Sequence, residues 1–465
     1  MLKRIIAVLM TMTMLFSINL CAYAEENGQP PEKPDGNAPG GNPPNGAPGG
    51  GFGGENPPGG RSSDFTYSAV TEITEAAEQT GQTYQSGMPD ESALIINTSD
   101  TVAISNPTLV KTGDSNGGDN CNFYGLNAGV LVMGGSTAKI TGGIIETSAS
   151  GANGVFSYGG NGGCNGAEGD GTTVVISDTI ITTTGDGSGG IMTTGGGTTN
   201  ASNLDVTTSG RSSAAIRTDR GGGTVIVDGG TYTTNGLGSP AIYSTADITV
   251  KNATLVSNLS EGVCIEGKNS ITLENCDLTA SNTKCNGNAT FLDTIMIYQS
   301  MSGDADSGTS SFRMTGGSLT SLNGDMFHVT NTHAVITLSG VKLINEGNIL
   351  LSVCNDGWNG SENTAEVFAD GQMLEGVILV GSNSTMTLTM TNGSTFEGFF
   401  SGEIENAKGE TISTEIGTVN VTMDETSSWT LLADTYITSF EGSAANVNGN
   451  GYTLYVNGTA LEGTN

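Results

Sequence analysis

The chain has 465 residues, carries a formal net charge of −32 and contains 72 glycines. Nucleic-acid binding requires a basic stripe that neutralises phosphates, and the sequence has none, so we exclude nucleic acid as a partner. The composition continues with little change to the C-terminus, which favours one long unit over several globular domains.

The N-terminus has the pattern of a secretory signal peptide over residues 1–24. Lys3 and Arg4 form a positive region, Ile5 to Leu20 is apolar, and Ala22-Tyr23-Ala24 is a small-x-small cleavage site. We therefore expect a secreted protein, extracellular or associated with the cell surface, with no membrane span in the mature chain.

A short apolar motif recurs along the body of the chain, with successive starts 22 to 36 residues apart. Each motif is followed by a turn, an alternating strand such as Val225-Ile226-Val227, a Gly, Asn or Asp turn, and a third short β segment. The motifs are Val130-Leu131, Val155-Phe156, Ile191-Met192, Ala215-Ile216, Ala241-Ile242, Val263-Cys264, Ile295-Met296, Met326-Phe327, Leu350-Leu351 and Val377-Ile378.

Three short strands per repeat predict an all-β fold, a single-stranded parallel β-helix (β-solenoid) of about eleven coils. No coil can bury its apolar side chains alone, so successive coils must stack and share one core. A β-sandwich does not repeat at a fixed coil length. Because open ends expose strand edges, we assign an N-terminal cap to 65–92 and a C-terminal cap to 441–465, around a β-helix at 93–440. Residues 25–64, rich in Pro and Gly, predict a disordered spacer.

Three stretches carry a resemblance to a known family: Asn200 to Tyr232, Gly238 to Val250 and Glu266 to Cys276. They resemble the pectate-lyase-like superfamily of right-handed parallel β-helices. More narrowly, they resemble secreted β-helix proteins of anaerobic Gram-positive gut bacteria, whose activity is unassigned. The resemblance covers Ser68 to the end and implies a right-handed helix. It does not specify an activity, because this scaffold hosts lyases, hydrolases, binding modules and adhesins.

Alignment of the coils places one residue of each coil in an equivalent outward slot. Arg217 and Tyr243 then lie close together, with Asp219 and either Glu266 or Lys268 beside them. The aligned slot contains Val132, Ser157, Thr193, Arg217, Tyr243, Ile265, Ile297, His328, Ser352 and Leu379.

For a lyase, the resemblance implies an Arg or Lys base with Asp and Glu holding Ca²⁺. Arg217 would be the base, and Asp219 and Glu266 would be the catalytic and metal-ligating carboxylates; no cofactor is otherwise expected. The chain departs from the family in having no R-x-x-P-x-x-R element. A hydrolase would use paired carboxylates, which Asp219, Glu261 and Glu266 could supply. The alternative is an ion-pair ladder that only fixes the register of the coils.

Further candidate ligand-binding residues are Arg220, Tyr243, Lys268, His328 and Trp358. Trp358 lies in a polar insertion, where an aromatic face can stack on a sugar ring or fold down onto the coils. His328 and His333 are too few for a zinc site, and we expect one of them at the surface and the other in a turn.

Cys121 and Cys164 both lie in Gly/Asn-rich loops, where a disulfide between them is one option among several pairings.

We expect a glycan-binding or adhesin-like function without catalysis, with a polysaccharide or cell-surface glycan as partner and the chain as a monomer. The long repeat, the N-terminal spacer and the lack of a clear catalytic set support this expectation. One alternative is a polysaccharide lyase or glycoside hydrolase that acts on an acidic polysaccharide at the outward face around Arg217. Another is a purely structural surface protein.

Overall fold

The computed structural model describes residues 65–161, 168–358 and 363–464, all within one compact unit. The predicted signal peptide and spacer lie outside these residues and stay predictions.

Two long parallel sheets confirm the predicted parallel β-helix. In the described residues sheet 1 has 15 strands, and each strand pairs in parallel with a strand of the neighbouring coil. These are Ala69–Ile73, Ser92–Asn97, Val130–Met133, Val155–Tyr158, Ile191–Thr194, Ile216–Thr218, Ile242–Ser244, Val263–Glu266, Asp293–Tyr298, Asp325–Thr330, Ile349–Val353, Met373–Val380, Thr395–Ser401, Ser428–Leu431 and Val447–Asn448.

Within the ranges that the structure describes, sheet 2 has 22 strands, and most coils contribute two of them, joined by a turn. These are Ala77–Thr80, Thr83–Ser86, Thr101–Ser105, Thr108–Lys111, Thr137–Thr141, Ile144–Thr147, Thr173–Ser177, Ile180–Thr183, Gly197–Thr208, Gly223–Thr234, Asp247–Lys251, Thr254–Ser257, Ser270–Glu274, Asp277–Ala280, Thr309–Thr315, Ser318–Ser321, Thr332–Ser339, Lys342–Asn345, Asn363–Asp370, Thr385–Thr391, Thr418–Met423 and Ser439–Glu441.

The remaining elements are short. Two small sheets join Ile404–Glu405 to Thr411–Ser413, and Thr435–Ile437 to Leu454–Val456 and Thr459–Ala460. The helices are one α-helical turn, Asn120–Phe123, and one 3-10 turn, Ala444–Asn446. Neither has the length or apolar character to cross a membrane, and no other helix occurs in the described ranges.

The core is a set of apolar ladders that run from coil to coil. Ile248 pairs with Ile271, Ile271 with Phe312 and Phe312 with Ile336, and each is at most 1% exposed. Because side chains alternate across a strand, Ser270, Thr272 and Glu274 point outward while Ile271 and Leu273 point inward. The β-branched and aliphatic residues of the repeat therefore form one continuous interior.

A residue with positive φ marks the turn between the two sheet 2 strands of many coils. Asn252 and Asn275 both have φ of 52°, a conformation that Asn tolerates better than most residues. The Asn252 amide also donates to Asp228 Oδ1 of the preceding coil at 2.7 Å. These turns account for the recurrent Asn, Asp and Gly between the apolar segments.

Both predicted cap segments contain strands of the long sheets. Ala69–Ile73 is the first strand of sheet 1, and Val447–Asn448 is the last. These terminal strands lack the sequence motif. The motif therefore occurs fewer times in the sequence than there are strands in sheet 1. The assignment of 65–92 and 441–465 as caps, and the handedness of the coil, stay predictions.

The outward slot predicted from the sequence contains a one-residue error in half of its members. Arg217 pairs with Tyr243, Tyr243 with Cys264, Cys264 with Met296 and Met296 with His328. The true slot also contains Leu131, Phe156 and Met192, whereas Val132, Ser157, Thr193, Ile265 and Ile297 lie one position away.

An additional inward residue explains this error. In some coils an apolar residue of the main core, such as Ala215 or Ala241, directly precedes the first core residue of the sheet 1 strand. The apolar motif then begins one residue early, and a slip of one residue exchanges the two faces of a strand. Val132, Ile265 and Ile297 accordingly lie in the interior.

Insertions between strands cover the outward face of sheet 1. Leu131, Phe156, Cys264, Met296 and His328 all point away from the main core, yet none is more than 3% exposed. They lie under loops that connect the two sheets, among them 112–129, 281–292, 299–308 and 402–417. The middle part of sheet 1 is therefore buried on both faces, and a functional surface on this side of the protein must lie at the edges of these loops.

Leu273→Ala should lower the free energy of unfolding by about 2–5 kcal/mol, because it leaves a cavity in a fully buried ladder. The neighbouring outward substitution Thr272→Ala should change it by at most about 0.5 kcal/mol. Urea denaturation followed by circular dichroism measures both, and equal effects would contradict the assigned faces of this strand.

Candidate functional site

Arg217 and Asp219 form a buried ion pair at the end of the strand Ile216–Thr218. Arg217 Nη2 lies 2.6 Å from Asp219 Oδ2, and the guanidinium also donates to the Ser212 carbonyl at 3.2 Å. Burial raises the pKa of Asp219 to about 7, although Arg217 favours its ionised form. The guanidinium carbon lies 5.4 Å from the centre of the Tyr243 ring, which covers one side of it.

Glu266 ends the strand Val263–Glu266, two strands along sheet 1 from Ile216–Thr218. Four hydroxyl groups lie within hydrogen-bond distance of its carboxylate. Tyr243 and Tyr298 donate to Oε2 at 2.6 and 3.1 Å, while Ser300 and Ser302 donate to Oε1. Burial raises its pKa above the usual value, against the hydrogen bonds from Ser300 and Tyr243 that favour the carboxylate. With 1% exposure, Glu266 is a buried anchor for the loop 299–308.

Arg220 ties the same loop down at the edge of the site. Its Nη2 and Nε atoms donate to Asp304 Oδ1 at 2.7 and 3.2 Å. Ser302 Oγ lies 3.0 Å from Asp304 Oδ2, and its one hydrogen serves either Asp304 or Glu266. The side chains of Arg220 and Asp304 are 26% and 22% exposed, whereas that of Asp219 is 3% exposed. Arg220 therefore links the buried network to the surface.

The structure thus brings Arg217, Asp219, Tyr243 and Glu266 together, with Arg220 beside them. Lys268 lies outside this network and forms an exposed ion pair with Asp306 at 2.9 Å. The catalytic and binding roles given to these residues stay predictions.

Trp358 and His328 lie apart from the exposed surface. Trp358 is 6% exposed and its ring centre is 4.9 Å from that of Tyr298, so it folds down onto the coils. His328 lies in a strand of sheet 1, fully buried and stacked 4.4 Å from Phe291, contrary to the surface or turn position expected. Phe291, which covers His328, belongs to the loop that leads into the neighbouring strand of sheet 1, Asp293–Tyr298.

The carboxylates of this site do not fit a calcium ion. Asp219 accepts from Arg217 and from the backbone amide of Arg220, and both oxygens of Glu266 accept from hydroxyl groups. Ca²⁺ needs six to eight oxygen ligands, several of them carboxylates that face one point. In the part of the chain that the structure describes, no group of three or more His, Cys, Asp or Glu is arranged to hold a metal ion.

Five aromatic side chains that sequence reasoning missed form a cluster beside Arg220. The Arg220 guanidinium lies 4.1 Å from the centre of the Phe123 ring. Phe123 contacts Tyr124, and the Tyr124 ring centre lies 5.8 Å from those of both Phe65 and Tyr158. Phe65 in turn contacts Tyr67 at 5.0 Å. The members are Phe65, Tyr67, Phe123, Tyr124 and Tyr158, all half-buried.

Hydrogen bonds from hydroxyl groups to backbone carbonyls hold these rings in place. Tyr67 donates its hydroxyl to the Tyr124 carbonyl at 2.8 Å, and Thr194 donates to the Phe123 carbonyl at 2.8 Å. Gly195 has φ of 62°, and a Cβ there would come within 2.7 Å of the Tyr158 ring. A side chain at this position would push the Tyr158 ring out of the cluster.

Cys121 is buried, and its sulfur lies 2.9 Å from Ser115 Oγ. Cys164 lies outside the described residues, so the disulfide stays a prediction.

Comparison of the chain with protein-family models, with curated proteins and with solved structures finds no match. The resemblance to pectate-lyase-like proteins therefore stays a prediction.

Arg217→Met should lower the free energy of unfolding by about 3–5 kcal/mol at pH 8, because it leaves the Asp219 carboxylate buried without its cation. The loss should shrink at pH 5, because burial raises the pKa of Asp219 and removal of the Arg217 guanidinium raises it further, so that the carboxyl is neutral there. Chemical denaturation at both pH values measures the difference.

The matched control for this prediction is Lys251→Met. This substitution removes an ion pair with Glu274 at 2.9 Å, in which the side chains of Lys251 and Glu274 are 40% and 43% exposed. Exposed ion pairs contribute little to the free energy of unfolding. A loss for Arg217→Met that is the same at pH 5 and pH 8 would contradict the role of Asp219.

Proposed function

We propose that this protein binds a neutral polysaccharide at the aromatic cluster beside Arg220 and does not catalyse a reaction there. The observation that carries the proposal is the juxtaposition of five half-buried rings with a partly exposed Arg–Asp pair. Tyrosine and phenylalanine rings offer apolar faces to the C–H face of a sugar. A few fixed polar groups beside them supply orientation and specificity.

The charge balance around the cluster favours a neutral sugar. Arg217 and Arg220 are each paired with a carboxylate of the chain, Asp219 and Asp304. Asp119 adds a further negative charge that interacts electrostatically with Arg220 and Asp304. A uronate would have to displace one of these carboxylates, and its own charge would be repelled by the others.

The same pairing argues against Arg217 as the base of a lyase. A base must lie within hydrogen-bond reach of the proton that it removes. The Arg217 guanidinium instead donates to Asp219 and Ser212 and is covered by Tyr243. We therefore rank a lyase or hydrolase that acts on an acidic polysaccharide second.

We also propose that the protein is secreted. A signal peptide at 1–24 would deliver the chain outside the cell, where polysaccharides occur, and the spacer at 25–64 would let the β-helix reach them.

Tyr124→Ala should weaken binding to a neutral polysaccharide about 3- to 10-fold, since it removes the central ring of the cluster and one stacking contact. Affinity electrophoresis in gels that contain xylan, mannan or β-glucan, with pectate as the acidic comparison, measures the change. Phe368→Ala is the control, because Phe368 is 38% exposed on sheet 2, away from the cluster.

Retention by no polysaccharide, or equal weakening by both substitutions, would overturn the site. A rise in the ultraviolet absorbance of unsaturated uronate from pectate, lost in Arg217→Ala, would favour the lyase instead.

A further inference from the structure

A second group of acidic side chains lies beneath the loop 281–292, outside the site described above. Glu261 and Asp293 occupy the same position in successive coils, two residues before the paired Val263 and Ile295. Asp293 and Asp325 are direct register partners. We call these three residues the acidic column.

The column is closed to solvent. Glu261, Asp293 and Asp325 are 5%, 1% and 5% exposed. Neighbouring strands of a parallel sheet lie about 4.8 Å apart, so the carboxyl groups of successive coils are neighbours. Buried carboxylates at this separation cannot all be ionised, because each raises the cost of ionising the next.

The central member of the column lacks a full set of partners. Ser260 donates to Glu261 Oε2, and Ser352 donates to Asp325 Oδ2. Asp293 Oδ1 is buried with no hydrogen-bond partner. An unpaired buried carboxylate oxygen is costly, and protonation lowers that cost because it removes the charge.

The negative charge that the three carboxyl groups would carry has no hydrogen-bonded cation beside it in the described residues. His328 is fully buried, and neither ring nitrogen makes a hydrogen bond; its Nε2 lies 3.5 Å from Asp356 Oδ2. Asp356 already accepts from Thr290 and Gly357. Burial opposes its ionisation, but His328 and, after it, these two bonds hold its pKa below the usual value. The titratable and charged groups that face the column or its cover are His328, Asp356, Cys264, Cys354, Cys285 and Lys408.

The loop 281–292 forms the cover of the column. Phe291 stacks on His328, Asn282 donates to the Asp293 carbonyl at 3.2 Å, and Thr290 holds Asp356. A charge that develops in the column would be solvated only if this loop moved away, because the coils on either side are fixed by the sheets.

We propose that burial keeps Glu261, Asp293 and Asp325 protonated in the folded state, and that loss of these protons releases the loop 281–292 from sheet 1. The column is thus a pH-sensitive latch on the covered face, independent of the proposed glycan site.

The sign of the pH dependence follows from the direction of the pKa changes. Burial raises the pKa of Asp325 to about 7 and that of Asp293 well above its usual value, and Glu261 shifts in the same direction. In the unfolded chain these groups ionise near pH 4. The column therefore stabilises the fold most at low pH, and this contribution falls as the pH rises from about 4 through 7.

The test compares the wild type with Asp293→Asn, in which the central group keeps its shape but cannot ionise. We expect Asp293→Asn to raise Tm at pH 8 by about 2–4 °C or more and to leave Tm at pH 5 unchanged or lower. Hydrogen exchange of the amides of 281–292, corrected for its intrinsic pH dependence, should show protection that falls between pH 5 and 8 in the wild type only.

Asp325→Asn provides a second, independent removal of charge, and Asp205→Asn, an exposed carboxyl in sheet 2, is the control. The proposal is overturned if Asp293→Asn and Asp325→Asn lower Tm equally at both pH values. It is also overturned if exchange of 281–292 follows the rest of the chain across the pH range.

Discussion

The structure depends on the in-register stacking of parallel coils, which forces each residue to lie beside its counterpart in the next coil. For apolar residues such as Ile248, Ile271 and Phe312 this constraint is favourable, because it joins small contributions into one long core. For charged residues the same constraint is costly. Asp293 and Asp325 lie side by side because the register leaves them no other position, and burial adds to the cost of ionising them.

The fold could be predicted from the sequence because its determinants are local. Alternating strands and the Asn, Asp and Gly turns are visible in any single repeat, and the repeat then implies the stack. The exact register of the sheet 1 strands was harder to predict, because inward residues such as Ala215 and Ala241 extend the apolar motif by one position. A local pattern cannot distinguish such a residue at a corner from the first residue of a strand.

The site was predictable only where strands of sheet 1 define it. Arg217 and Tyr243 were placed together because both lie in strands of known order. The burial of His328 was not predictable, since it arises from Phe291 of the loop 281–292, whereas for Trp358 the sequence left open whether it folds down onto the coils. The aromatic cluster was missed for the same reason: Phe65 and Tyr158 are far apart in sequence, and no repeat relates them.

The short helix Asn120–Phe123 has a consequence for how the solenoid comes apart. In a simple stack each coil contacts only its neighbours, so unravelling can begin at one end and advance coil by coil. Here Asn153 and Thr194 donate to carbonyls of Cys121 and Phe123, and Arg220 lies on the Phe123 ring. The helix Asn120–Phe123 therefore connects several coils through these contacts. Under mechanical load, the N-terminal third should yield as one block rather than peel away in steps.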